Sequence, residues 1–186
     1  MSRIMRFTTR HEFACTPEAF FSKAVYFHPA YHEGLYRELR FREVQVLERH
    51  EEGDRLREVR IKRPIRDLPG PVKRALGVEA VEYREEALYD RRALTYEFRV
   101  FPNVLPGKIR IAGGYRILPA APGRCLREVD LEVEVRLFGV GAAVERHILE
   151  DLRLSYDTAA AYTQRWIAGL GPSVPVDSAP PGTTES

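Results

Sequence analysis

Cysteine is scarce in this chain: Cys15 and Cys125 are the only two. That number excludes a disulfide scaffold and a four-thiolate zinc site. Long apolar runs are missing as well, since no stretch approaches the roughly 18 consecutive apolar residues of a membrane-spanning helix. Met1 to Phe13 spaces Arg3, Arg6 and Arg10 through a polar run, where a secretion signal would carry its apolar core. A soluble, cytoplasmic protein is the default expectation. Charge of one sign is not in excess either. The formal net charge is +2, without the global basicity that accompanies nucleic-acid binding, so no nucleic-acid partner is expected. Lysine is confined to Lys23, Lys62, Lys73 and Lys108 while arginine is abundant, which reads as genomic base composition before function.

What is present is ordinary globular material. A chain of 186 residues with 44% apolar and 30% charged content is long enough for one domain with a full core, and for a cavity inside it. The expected organisation is a domain over residues 1–170 followed by a disordered tail at 171–186, where glycine, proline and serine dominate.

The clearest patterning lies in the last third. Val129, Leu131, Val133, Val135 and Leu137 alternate with Glu128, Asp130, Glu132, Glu134 and Arg136, the period-two mark of a strand with one dry and one wet face. After a Gly139–Gly141 pivot the period becomes helical. Val144, Ile148, Leu152, Ser155, Ala159, Tyr162, Trp166 and Leu170 form a single stripe, and a helix that long must lie across something large and concave.

Earlier in the chain, Arg3–Phe13 alternates loosely and reads as a first strand. Thr16-Pro17-Glu18 supplies an N-cap, a first-turn proline and a first-turn acid, opening a helix that carries Phe20, Phe21 and Val25. Pro29 interrupts it, and a second short helix runs to about Leu39. From Phe41 the pattern is strands: Val44 and Val46, a turn at Glu52-Gly53-Asp54, then Val59 and Ile61. Further strands fall near 81–88, 94–101, 109–118 and 126–137, with short turn-rich connections suited to an antiparallel meander. The 64–77 segment is a loop holding a short amphipathic piece, Pro71–Leu76.

The order strand, two helices, six strands, long helix resembles the START-like helix-grip fold of the SRPBCC superfamily, shared by pollen allergens, polyketide cyclases and lipid-transfer domains. The resemblance spans residues 3–168. It is carried by Pro71-Val-Lys-Arg-Ala-Leu-Gly77, Gly114-Tyr-Arg-Ile-Leu-Pro119 and Leu137-Phe-Gly-Val-Gly-Ala-Ala-Val-Glu145, which look most like an uncharacterised bacterial family of that superfamily. The resemblance implies an α+β fold: a curved seven-stranded antiparallel sheet, two short helices after strand 1, and a long C-terminal helix packed across it. It also implies that the first and last strands pair antiparallel, which brings Cys15 beside Cys125.

Several constellations could carry chemistry. His28 and His32 stand one helical turn apart with Glu33 adjacent, but Pro29 occupies the place of a zinc-protease glutamate and no third ligand is evident. A surface or capping role is expected, and no metal. Gly139-Val-Gly141 imitates a dinucleotide fingerprint, yet the third glycine and the following strand are missing, so a tight strand-to-helix reversal is the better reading. His147 and Asp151 form an i,i+4 pair that reads as solvated pairing beside the stripe. Arg55, Arg57, Arg60, Lys62, Arg63 and Arg66, with Lys73 and Arg74 beyond, read as a solvated strand face; the alternative is transient contact with an anionic membrane surface. The interior tyrosines leave two readings open, hydroxyls at the edge of a filled core or hydroxyls facing a cavity.

The preferred function, which rests on the resemblance, is binding of a lipid or other hydrophobic small molecule between the sheet and the C-terminal helix. The expected ligand-binding residues are Val59, Ile61, Tyr83, Tyr96, Phe98, Ile111, Tyr115, Val133, Val135, Leu152, Tyr156 and Ala159, with Ser155 and Ala159 leaving room at the middle of the helix. Gly113-Gly114 is expected to add space, and Ile65–Gly77 to act as the lid. The alternatives are a cyclase- or dehydratase-like enzyme, for which His11 and Glu85 are the ionisable candidates that parity suggests, and an interaction module with a solid core. No catalytic residue is assigned, no cofactor is implied, and a monomer is the default.

Overall fold

The computed structural model describes residues 4–66, 70, 73–74, 80–139 and 141–169. The expected lid and its amphipathic piece fall largely outside the described residues, and the expected tail at 171–186 falls wholly outside them.

Seven antiparallel strands form one sheet: β1 (Met5–Phe13), β2 (Phe41–Glu52), β3 (Arg55–Pro64), β4 (Tyr83–Asp90), β5 (Thr95–Pro102), β6 (Ile109–Pro119) and β7 (Cys125–Val135). Their spatial order is β1-β7-β6-β5-β4-β3-β2, so every neighbour is consecutive in sequence except the β1–β7 pair. Between β1 and β2 lie α1 (Pro17–Phe20) and α2 (Pro29–Glu38), and after β7 runs α3 (Gly141–Gly169). This is the curved helix-grip sheet, with α3 packed against β1, β7 and α2.

Local chemistry explains the boundaries. Thr16 Oγ1 accepts from Ala19 N at 3.2 Å and Pro17 takes the first helical position. The helix then stops at Phe20, five residues short of Val25. Ser22 is the reason: its hydroxyl donates to Ala19 O at 2.8 Å and accepts from Ala24 N at 3.1 Å, offering the backbone an alternative to the next helical turn. His28 caps α2 through Nδ1, which accepts from Ala30 N at 3.2 Å. At the other reversal Gly139 adopts φ +78°, the left-handed conformation that glycine enters without steric cost.

The outer face of β7 sets register electrostatically. Arg6 pairs with Glu132 at 2.9 Å, and Glu128 lies between Arg10 and Arg116, each across from its strand partner. At the end of β1 the Phe13–Cys125 register brings the Cys15 and Cys125 Sγ atoms to 3.9 Å, both buried. The two glycines of β6 do not enlarge the interior. A Cβ on Gly113 would meet Asp130 O at 2.5 Å, and one on Gly114 would meet Tyr96 O at 2.3 Å. They let the backbones of β7 and β5 approach β6 closely.

The α2–α3 seam closes one end. Tyr31 and Thr163 share a 2.7 Å hydroxyl hydrogen bond, Tyr162 donates to Tyr31 O at 3.1 Å, and Trp166 Nε1 donates to Ala24 O at 3.1 Å. Trp166 is half-buried and packs on His28 and Tyr31, with ring centroids 5.1 and 5.6 Å away. The sequence stripe is widened by Ala160, Thr163 and Ile167, all buried.

Candidate cavity between the sheet and the long helix

Between the inner face of the sheet and α3 lies a cavity of about 240 Å³. Its apolar walls come from Phe98, Val100, Ile109 and Ile111 on β5 and β6, and from Val144, Ile148, Leu152 and Ala159 on α3. Leu35 and Leu39 close the α2 side. Period-two alternation delivers the strand residues and a one-turn step delivers the helical ones.

Three polar groupings interrupt these walls. The first is a network on β3, β4 and β5. Arg60 stands directly opposite Glu85 in the ladder, and its Nη2 lies 2.8 Å from Oε1. Lys62 Nζ donates to Glu85 Oε2 at 2.8 Å, and the Tyr96 hydroxyl donates to Oε1 at 3.1 Å. Arg60 also donates to the Tyr36 hydroxyl at 2.9 Å and the Tyr89 hydroxyl at 2.7 Å, and lies 3.5 Å from Glu58. Burial alone would push the Glu85 carboxyl up. The charges of Lys62 and Arg60, with the hydrogen bonds from Lys62 and Tyr96, hold it below the usual carboxylate range. Tyr89 and Tyr96 are pushed well up by burial and stay neutral. His32 lines the same region, and burial, with Arg60 and Lys62 nearby, lowers it to about 4.

The second grouping is on the opposite wall. Arg127, on β7, is 3% exposed and lines the cavity. Its Nη2 donates to His11 Nδ1 at 3.2 Å and to Tyr156 O at 3.1 Å, and the guanidinium lies over the rings of Phe13, Tyr115 and Tyr156 at 5.4, 5.8 and 5.5 Å. Nε of Arg127 has no hydrogen-bond partner, and among the described residues no carboxylate pairs with it. Behind it, His11 Nε2 lies 2.9 Å from Asp157 Oδ1. Burial lowers the His11 pKa; the Asp157 hydrogen bond opposes that and the Arg127 charge adds to it. A neutral imidazole that donates to Asp157 and accepts from Arg127 satisfies both contacts.

The third grouping is at the Arg66 end. Arg66 Nε donates to Asp151 Oδ1 at 2.7 Å, and its other nitrogens reach Leu39 O at 2.9 Å and Ser155 Oγ at 3.4 Å. This clasp ties the segment after β3 to α3, with His147 also on the cavity wall.

Of the sequence-predicted wall residues, Tyr83, Tyr96, Phe98, Ile111, Tyr115, Leu152, Tyr156 and Ala159 line the cavity. Val133 and Val135 are buried in the core but do not line it. Val59 and Ile61 are a correction. On β3 the parity that faces the cavity belongs to Arg60 and Lys62, so the two apolar residues point to the other face. The same finding removes Arg60 and Lys62 from the expected solvated face, and Arg55 and Arg63 pair with Asp90 and with Glu43 and Glu82. Of the ionisable candidates, Glu85 lines the cavity and His11 stands behind Arg127. The His147–Asp151 pair, expected to be solvated, instead sits on the wall with Asp151 held by Arg66. Sequence reasoning missed Arg127 and the α2 residues Tyr31 and Tyr36. Of the histidine pair expected to cap or lie on the surface, His28 caps α2 but His32 lines the cavity. Arg127 was detectable, because extending the β7 alternation two residues back from Val129 places it on the dry face.

No protein of curated function matches the sequence. Solved structures do match in fold. The Zhui aromatase/cyclase from a Streptomyces species superposes with a TM-score of 0.65 at 11% identity, over 91% of this chain and 99% of that one. Norcoclaurine synthase from Thalictrum flavum, in complex with dopamine and hydroxybenzaldehyde, gives 0.59 at 14% identity over 90% and 88%. A START superfamily protein from Mycobacterium smegmatis gives 0.53 at 17% identity over 86% and 97%. These likenesses establish the START-like helix-grip fold. Residues 8–167 match the family described as "Protein of unknown function (DUF2505)", and the chain belongs to that family.

Proposed function

We propose that this protein binds a hydrophobic small molecule in the cavity between the sheet and α3. The observation that carries the reading is the mismatch at the middle of α3. Ser155 and Ala159 line the same cavity as Phe98, Ile111 and Tyr115, at helix positions where a solid core would place a large side chain. At about 240 Å³ the cavity falls just below the roughly 300–1,000 Å³ common for ligand sites. That size suits a compact aromatic or a short acyl chain better than a two-chain lipid. The fold relative that carries dopamine and hydroxybenzaldehyde supports a compact aromatic occupant.

A binding role is preferred to a cyclase-like one because of Glu85. A general base works best with a pKa near the operating pH, whereas Lys62 and Arg60 hold this carboxyl low and both of its oxygens already accept hydrogen bonds or ion pairs. The test is displacement of a fluorescent fatty-acid probe by small aromatic compounds. Wild type should bind the probe, and Ala159→Trp should weaken binding at least tenfold with an unchanged circular dichroism spectrum. Wild-type protein that binds neither acyl nor aromatic probes would overturn the reading in favour of a solid-core interaction module.

A further inference from the structure

Building on that binding reading, we propose that the ligand is a hydrophobic carboxylic acid whose carboxylate is received by Arg127. A buried guanidinium is costly unless its charge is matched. The cavity holds Arg60, Lys62, Arg66 and Arg127 against Glu85 and Asp151. Glu85 serves Arg60 and Lys62, and Asp151 serves Arg66. Arg127 is the cation left over.

Its surroundings are arranged for an incoming anion. Both of its hydrogen bonds start from Nη2, and both go to neutral acceptors, the His11 ring and the Tyr156 carbonyl. Those two contacts fix the plane of the guanidinium and leave Nε–H unpaired. Arg60 also leaves its Nε unpaired, but two carboxylates, Glu58 and Glu85, neutralise its charge. A carboxylate at Arg127 would gain a charge-assisted hydrogen bond away from water, with its apolar body against Ile111 and Ala159. Asp157 holds His11 in place, so His11 is a positioning residue that keeps Arg127 aimed and accepts no charge itself.

Binding of 1-naphthoic acid and octanoic acid, each against its methyl ester, tests this by calorimetry at pH 7.5. Wild type should bind each acid at least tenfold more tightly than its ester. Arg127→Met should erase that preference while keeping ester affinity within about threefold, and should leave the melting temperature unchanged or higher, because a buried unmatched charge has been removed. Should Arg127→Met fail to fold, Arg127→Lys retains a charge but not the guanidinium geometry, and a reduced acid preference there supports the assignment. Equal acid and ester binding by wild type would overturn the Arg127 assignment and leave the binding reading standing. Binding of neither would sink the binding reading itself.

Discussion

The two ends of the cavity solve the same problem in opposite ways. On β3 and β4, buried cations meet a buried carboxylate: Arg60 and Lys62 converge on Glu85, and four tyrosine or carboxylate groups complete the arrangement. On β7, Arg127 is as deeply buried but is matched only by a neutral imidazole, a carbonyl and aromatic faces. The first end is electrostatically closed and has no charge to offer a ligand. The second is open. A cavity with one charge-matched pole and one unmatched pole orients whatever enters it.

Breaking the closed end should have the largest effect. Glu85→Ala strands Arg60 and Lys62 in the interior, and removing one partner of a buried pair costs about 3–5 kcal/mol. Urea denaturation should show that loss, whereas Arg127→Met measured alongside should lose less than about 1 kcal/mol, since no ion pair is broken. Equal losses would erase the distinction between the two ends.

The helix that faces both ends comes next. Trp166→Ala removes the half-buried ring at the α2–α3 seam together with its hydrogen bond to Ala24 O, and should cost about 3 kcal/mol by the same denaturation. A loss below about 1 kcal/mol would mean that this seam does not hold α3 over the sheet.

Acid sharpens the comparison further. His32 sits at the closed end with a folded pKa of about 4 against 6.5 for the ordinary side chain, depressed by burial and by Arg60 and Lys62. Between those values the unfolded chain binds a proton that the folded chain refuses, so stability is complete above pH 6.5 and falls as pH drops toward 4. The loss from this group should reach roughly 3 kcal/mol. His32→Leu should flatten the acid limb of a stability-versus-pH profile, and an unchanged limb would show that His32 is not held neutral.

The smallest effect concerns the thiols near the Arg127 end. Cys15 and Cys125 lie 3.9 Å apart between sulfurs, so diamide should join them, seen by intact mass as the loss of two hydrogens. Alkylation of both thiols without denaturant would show that the pair is not buried.

The difference between the two ends also explains what sequence patterning could reach. On β4, β5 and β6 the inward parity is marked by Tyr83, Tyr96, Phe98, Ile111 and Tyr115, whose size and apolarity announce an inner face. On β3 the same rule fails. Val59 and Ile61 look like the inner row, but Arg60 and Lys62 occupy it, because their partner Glu85 arrives from the neighbouring strand. A period-two reading scores each strand alone and cannot see a charge matched across a ladder. The meander of β2 to β7 was legible in turns and alternation, whereas the closure of β1 against β7 followed from the resemblance to the helix-grip fold. The stop of α1 at Phe20 was not, because it depends on which way the Ser22 hydroxyl turns.

The most direct measurement is a proton–nitrogen correlation spectrum of the arginine Nε–H groups during titration with 1-naphthoate. The account predicts that the Arg127 Nε–H resonance moves downfield and saturates while that of Arg60 stays nearly still. Movement of Arg60 with Arg127 unmoved would contradict it, placing the open pole of the cavity at the wrong end.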